Sequence, residues 1–91
     1  MTDKNLWIKE EDDLIVVGLT VSAQDDLGKI SFASFPKVGQ KVSQGDEIIE
    51  LEAEKAVVEY ESPVSGKIVE INNQDVTLLD EPKAWLYKVK K

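Results

Sequence analysis

Ile49-Glu50-Leu51-Glu52-Ala53-Glu54-Lys55-Ala56-Val57-Val58-Glu59-Tyr60-Glu61 is the stretch whose reading decides the fold. Going in, Ile49, Leu51 and Ala53 alternate with Glu50, Glu52 and Glu54, the period of two that belongs to a strand with one buried and one wet face. Coming out, Val58 and Tyr60 alternate with Glu59 and Glu61. The alternation breaks between Glu54 and Val57, which predicts a hairpin with Lys55 at its turn and the amine open to solvent. A primary amine on a rigid tip is a suitable anchor for a carboxylic acid, because an amide can form there while the strands stay folded. The plainer reading is that Lys55 is one solvated side chain among eleven lysines.

Outward from the hairpin, the composition narrows the possibilities. Ninety-one residues with 42% hydrophobic content suit one domain spanning 1–91 and one core. The chain has no cysteine and no histidine. Disulfides, thiolate metal sites, imidazole-based triads and the commonest acid or base near neutral pH are therefore excluded, and an enzyme acting alone is disfavoured. Eighteen acidic residues against eleven basic ones give a formal charge of −7. That charge repels nucleic acid and anionic membrane and favours protein partners with basic docking faces. No apolar run of about 18 residues is present to span a membrane, and Met1 to Asn5 is polar, so a cytoplasmic location is expected.

Along the chain, Leu6-Trp7-Ile8 reads as a first strand and Glu10-Glu11-Asp12-Asp13 as the turn after it; these acids lack the ligand spacing and glycine of a calcium loop. Leu14 to Leu19 is a nearly continuous apolar strand, covered on both faces. Thr20 can cap a short helix from Val21 to Leu27, with Val21, Gln24 and Leu27 on one side and Gly28 ending it. Ile30 to Phe35 alternates again, placing Ile30, Phe32 and Ser34 together. Gly45-Asp46 supplies a reversal into the hairpin. Val38-Gly39-Gln40-Lys41-Val42 is echoed by Val64-Ser65-Gly66-Lys67-Ile68, which suits two similar halves related by an approximate twofold. Asn72-Asn73-Gln74-Asp75 and Asp80-Glu81-Pro82 read as turns around a short apolar segment, Val76 to Leu79. Trp85 to Val89 closes the chain as a strand with Trp85, Tyr87 and Val89 on one face, the two tryptophans closing the core.

The segment Glu52-Ala53-Glu54-Lys55-Ala56, followed by Ser62-Pro63-Val64-Ser65-Gly66-Lys67-Ile68-Val69-Glu70-Ile71, resembles the attachment region of lipoyl carriers, most closely the H proteins of the glycine cleavage system. Val17-Gly18-Leu19-Thr20, Leu27-Gly28-Lys29-Ile30, Phe35-Pro36-Lys37-Val38-Gly39 and Trp85-Leu86-Tyr87-Lys88-Val89 extend the likeness over most of the chain. The resemblance implies an all-β barrel-sandwich hybrid of two small sheets with one short helix, and lipoate joined by an amide to Lys55. Glu52, Glu54, Ala56 and Glu59 would be the flanking recognition residues. Biotin carriers usually place methionine on both sides of the lysine, whereas this chain has Glu54 and Ala56.

The resemblance further implies a swinging arm that shuttles an aminomethyl, acyl or redox group between glycine decarboxylase, aminomethyltransferase and dihydrolipoyl dehydrogenase. Loading would fall to a lipoate ligase or a lipoyl/octanoyl transferase. Family members commonly have His-Glu before the first tryptophan, the acid helping to hold the aminomethyl group, where this chain has Asn5-Leu6. The loop at Glu81-Pro82-Lys83-Ala84 is shorter than the family's, and members usually continue into a carboxy-terminal helix beyond the position of Lys91. These departures leave two alternatives open: an H-like protein for lipoate relay or a dedicated modifying or redox system, and an unmodified binding or scaffold domain.

Overall fold

The lysine hairpin forms as its alternation requires. In a computed structural model, which describes residues 5–72, 79–81 and 84–90, strand β5 (Glu47–Ala53) pairs antiparallel with β6 (Val57–Glu61). Ile49 and Leu51 lie in the core, 2% and 0% exposed, while Glu52 and Glu59 face solvent. β3 (Ile30–Ser34) completes a sheet in the order β3-β5-β6. A second sheet faces it, in the order β1-β2-β8-β7-β4, from β1 (Leu6–Glu11), β2 (Leu14–Leu19), β4 (Lys41–Val42), β7 (Gly66–Ile71) and β8 (Trp85–Lys90). Between the sheets lie Val17, Leu19, Leu51, Ile68, Tyr87 and Val89, each with no exposed surface. Turns expected to run through Asn73-Gln74-Asp75 and Pro82, and the segment Val76 to Leu78, lie outside the described residues.

The internal echo has a structural meaning. Its two halves run side by side: Lys41 faces Lys67 and Val42 faces Gly66 across the β4–β7 ladder. Gly39 N–H donates to Ile68 O at 2.7 Å, and Ile68 N–H returns the bond to Gln40 O at 2.9 Å. An antiparallel pair of similar segments is the local arrangement an approximate twofold requires.

Helix α1 (Val21–Leu27) is bounded as the sequence predicts. Thr20 Oγ1 accepts from Ala23 N–H at 3.1 Å, and Gly28 follows the last turn with φ 74°. Its buried stripe differs from the expected one. Ala23 and Leu27, one turn apart, reach the core, whereas Val21 is 58% exposed, because the cap fixes the phase of so short a helix. Gln24 donates its amide to Leu79 O and Glu81 O, tying α1 to the segment before β8.

Three further expectations are corrected. In β3, Ile30 is 1% exposed but Phe32 is 48% exposed: the register against β5 shifts between them, so Ser31 is the extra residue of a bulge and Phe32 and Ser34 turn outward. In β8 the pairing with β2 passes from Tyr87 to Trp85 without Leu86, leaving Leu86, Tyr87 and Val89 fully buried and Trp85 half-buried, with the Lys88 ammonium 5.2 Å from its ring. Trp7 likewise covers an edge of the core, donating from Nε1 to Leu19 O at 2.8 Å with its ring where a Cβ on Gly18 would stand. Finally, β1 runs on through Glu10 and Glu11, leaving Asp12-Asp13 as the turn; the ladder pairs Glu11 with Leu14 whatever the side-chain charge.

Gly66 begins β7 at φ 153°, and a Cβ there would run into Lys90 O and the Val89 side chain. A β-branched residue meets both obstacles at once. Gly66→Val should destabilise the fold by about 3 kcal/mol, a fall of at least roughly 12 °C in Tm for a chain of this size. An unchanged thermal melt would show that β7 and β8 separate freely at this point.

Burial pushes the Tyr87 hydroxyl up from 10.0 to about 12, against a smaller downward pull from its hydrogen bond to Ser62 Oγ. The unfolded chain releases this proton near pH 10 and the folded chain keeps it until about 12, so the stability it contributes is intact below pH 10 and is lost between the two. Urea titrations should show a decline of about 2 to 3 kcal/mol over that interval. Tyr87→Phe should lack this part of the slope; an identical slope in the variant would assign the decline to other groups.

Candidate functional site

Lys55 sits at the end of the β5–β6 hairpin, where Ala53 N–H donates to Ala56 O at 3.0 Å and closes the tip. Lys55 is exposed at the turn, as the alternation predicts, and the backbone of the tip is seated against the end of α1. Lys55 N–H donates to Leu27 O, Glu54 N–H to Lys29 O, and Lys55 Nζ to Asp25 O, each at 3.0 Å. Lys29 N–H returns a bond to Glu54 Oε1 at 2.9 Å. A helix leaves its last carbonyls without intrahelical partners, and α1 carries no basic residue in its last turn. Lys55 supplies from another element both the donors and the positive charge that a helix carboxyl end favours.

The predicted recognition residues divide into two groups. Glu54 belongs to the seat: it binds the Lys29 amide, and its Cβ lies against the place where Gly28 has no side chain. Ala56 is half-buried and packs on the core, so it shapes the turn from below. Glu52 and Glu59 are exposed on the outer face of β3-β5-β6 and do not touch the seat. Glu47 joins that face: a hydrogen bond and the nearby charge of Glu59, then slight desolvation and Glu61, hold its carboxyl above the usual range. Sequence reasoning missed Asp25 and Lys29 as neighbours of Lys55; the one signal was a capped helix ending in glycine on a chain short enough for its turns to meet. An open groove lined by Gln24, Asp25, Gly28, Lys29 and Asp80 lies beside the tip.

Leu6, where the resemblance led us to look for a missing acid, is 3% exposed and faces Leu19 in the core. In this chain that position is part of the packing, and a carboxylate there would be buried among hydrocarbon. Among the described residues no group of histidine, cysteine or acidic side chains is placed to hold a metal ion, and no helix is long and apolar enough to cross a membrane.

Two antiparallel sheets face to face, with one lysine at the hairpin tip of the smaller, define a barrel-sandwich hybrid of the lipoyl-domain kind. The chain belongs to the glycine cleavage H-protein family, whose model matches residues 1–91. It is 43% identical over 82 residues to the glycine cleavage system H protein of Listeria innocua, covering 90% of this chain and 63% of that protein. Identity to the H protein of Acinetobacter baumannii is 37% over 93 aligned positions, covering 92% and 73%. The crystal structure of a glycine cleavage system H protein from Mycobacterium marinum superposes with a TM-score of 0.84 at 35% identity, covering 98% of this chain and 80% of that one. The chain thus spans a little under two thirds of the length of the Listeria relative, at 63%.

The seat makes a prediction about Glu54. Glu54→Ala leaves the Lys29 amide without its protein acceptor and should cost about 0.5 to 1 kcal/mol in urea unfolding, as befits an exposed bond. Glu54→Gln keeps an oxygen in the same place and should stay within about 0.5 kcal/mol of the parent. Equal stabilities for all three proteins would show that the bond contributes nothing in solution.

Proposed function

We propose that residues 1–91 form a non-catalytic carrier domain of the glycine cleavage type, with lipoate held in amide linkage on Lys55. The observation that carries this reading is the seat. The hairpin tip is fixed by three bonds that do not involve the Lys55 amine, so Nζ can leave Asp25 O while Lys55 N–H, Glu54 N–H and Glu54 Oε1 keep the backbone in place. Family membership supports it, since glycine cleavage H proteins carry covalent lipoate on a lysine.

The side chain fits such an attachment. Lys55 is exposed, and the groove beside it is open. When bound, lipoate supplies a disulfide that opens to accept and release the transferred aminomethyl group. The chain's own contribution is positional. Lys55 Nζ would give up its bond to Asp25 O and one proton to become a neutral amine, and would form the amide C–N bond as the activated carboxyl carbon parts from its activating group and the second proton passes to solvent. The Glu54-Lys29 pair holds the tip still meanwhile, and Glu52 and Glu59 present charge to whatever approaches. The enzymes served on this reading are glycine decarboxylase, aminomethyltransferase and dihydrolipoyl dehydrogenase, with a lipoate ligase or lipoyl/octanoyl transferase as the loading enzyme and the cytoplasm as the compartment.

Incubation with a purified lipoate ligase, ATP and lipoate should add one lipoyl group to the intact mass, mapped by proteolysis to Lys55. Lys55→Arg should gain no mass, because the guanidinium does not form this amide, and should melt within about 2 °C of the parent. A parent protein that takes up nothing, or takes it up at the neighbouring Lys29, would overturn the assignment.

A further inference from the structure

The two sheets differ in the sign of the like charges they set side by side: the larger places Lys41, Lys67 and Lys90 in one exposed cross-strand row, the smaller places carboxylates. On the larger sheet, the ion pairs among the described residues are Lys9–Glu11 at 3.7 Å, Lys88–Glu11 at 4.0 Å and Lys88–Glu70 at 3.6 Å. On the outer face of β3-β5-β6 the register sets Glu50 opposite Glu59 and Glu47 opposite Glu61, with no described cation within ion-pair distance. Like charges facing each other across a ladder are destabilising. A hydrogen bond with Glu59, and then the charge of Glu59, hold the Glu47 carboxyl above the usual range.

Next to the lysine tip the same face turns apolar. Phe32 and Val57 flank Glu52 from either side in one cross-strand row, and they are 48% and 64% exposed. The Ser31 bulge is what turns Phe32 outward. An exposed aromatic beside a β-branched residue, ringed by carboxylates without counter-charges, has the make-up of a contact centre with a charged rim.

The occupant follows from where the face lies. A standard interface covers about 800 Å² per partner, roughly a seventh of the 5530 Å² accessible surface of this chain. An enzyme that closes over Lys55 must cover ground on one side of the tip, either the α1 side with Asp25 and Asp26 or the face that begins with Phe32, Glu52 and Val57. The α1 side also exposes Val21, one turn from Asp25, but its acids lie beside the Lys55 amine, whereas the second face sets an exposed aromatic next to carboxylates that face one another. We propose that the outer face of β3-β5-β6 is the docking surface for the enzyme that acylates Lys55, and that this enzyme meets it with an apolar patch bordered by lysine and arginine. The proposal rests on Lys55 being the acylated residue, as argued above.

The test is the steady-state kinetics of a purified lipoate ligase with the unmodified protein as varied substrate, read by intact mass. Phe32→Ala and the pair Glu50→Gln/Glu61→Gln should each raise KM by about tenfold with little change in kcat. The glutamine pair removes repulsion and should melt no lower than the parent, so its effect is separable from unfolding. Raising the salt should raise KM for the parent and much less for the glutamine pair. Asp12→Asn/Asp13→Asn, at the far end of β2 from α1, makes the same change of net charge and should leave KM within about twofold. KM values that stay at the parent's for both face variants, or a loss confined to Asp25→Asn/Asp26→Asn, would overturn the docking face and leave the attachment reading standing. A parent protein that gains no mass in the assay would overturn both.

Discussion

Three backbone groups left over where α1 ends are what the site depends on. The Leu27 carbonyl and the amide and carbonyl of Lys29 have no partners inside the helix, and all three are met by the dipeptide Glu54-Lys55. A hairpin tip left to itself samples many conformations, and each residue ordered there loses about 1 to 2 kcal/mol of backbone entropy. Seating the tip on a helix end links β5 and β6 to α1 over a sequence separation of 25 from Lys29 to Glu54. The lysine is thereby presented in one backbone geometry with only its side chain free to move, which lowers the ordering that any enzyme reaching for it must impose.

The amine itself is the least committed part of this arrangement. Asp25 and Asp26 put negative charge at the helix carboxyl end, where it opposes the macrodipole, and the Lys55 ammonium, bonded to the Asp25 carbonyl, offsets part of it. An amide on Nζ would remove that positive charge while leaving the bonds from Lys55 N–H and Glu54 in place. The site therefore separates the backbone that positions from the amine that stays free to react, and the scaffold can tolerate a large change in the charge and reach of Lys55 without rearranging.

Much of this was legible in the residues, and what was not shares a cause. β2, β5, β6 and α1 were readable because each is specified locally: β2 by an unbroken apolar run, the hairpin by strict alternation, and the helix by Thr20 and Gly28 at its ends. Phe32, Trp85 and Val21 were assigned to wrong faces. In β3 and β8 a register shift of one residue reverses which side chains face inward, and that shift is set by the neighbouring strand and leaves no local trace. The seat on α1 was hidden for the same reason, since it joins elements through backbone atoms that every residue possesses. Leu6 shows the converse: a departure from a family pattern invited a functional reading until the β1–β2 register placed it in the core.

The bulge at Ser31 joins these themes. With regular pairing, Phe32 would follow Ile30 into the core and the face beside Lys55 would keep Val57 among its carboxylates but no aromatic. The shift instead spends a large aromatic on solvent exposure, on the same sheet that keeps Glu50 opposite Glu59 and Glu47 opposite Glu61 without local counter-charges. Either feature alone lowers the stability of a chain with a small core. A protein folds well when local pattern, packing and charge agree, and the places where they disagree are where a surface serves something other than folding. In this molecule the exposed aromatic and the facing carboxylates fall together on the sheet that carries Lys55, whereas the larger sheet sets Lys41, Lys67 and Lys90 in one exposed row, so the two outer faces offer opposite charge to whatever meets them.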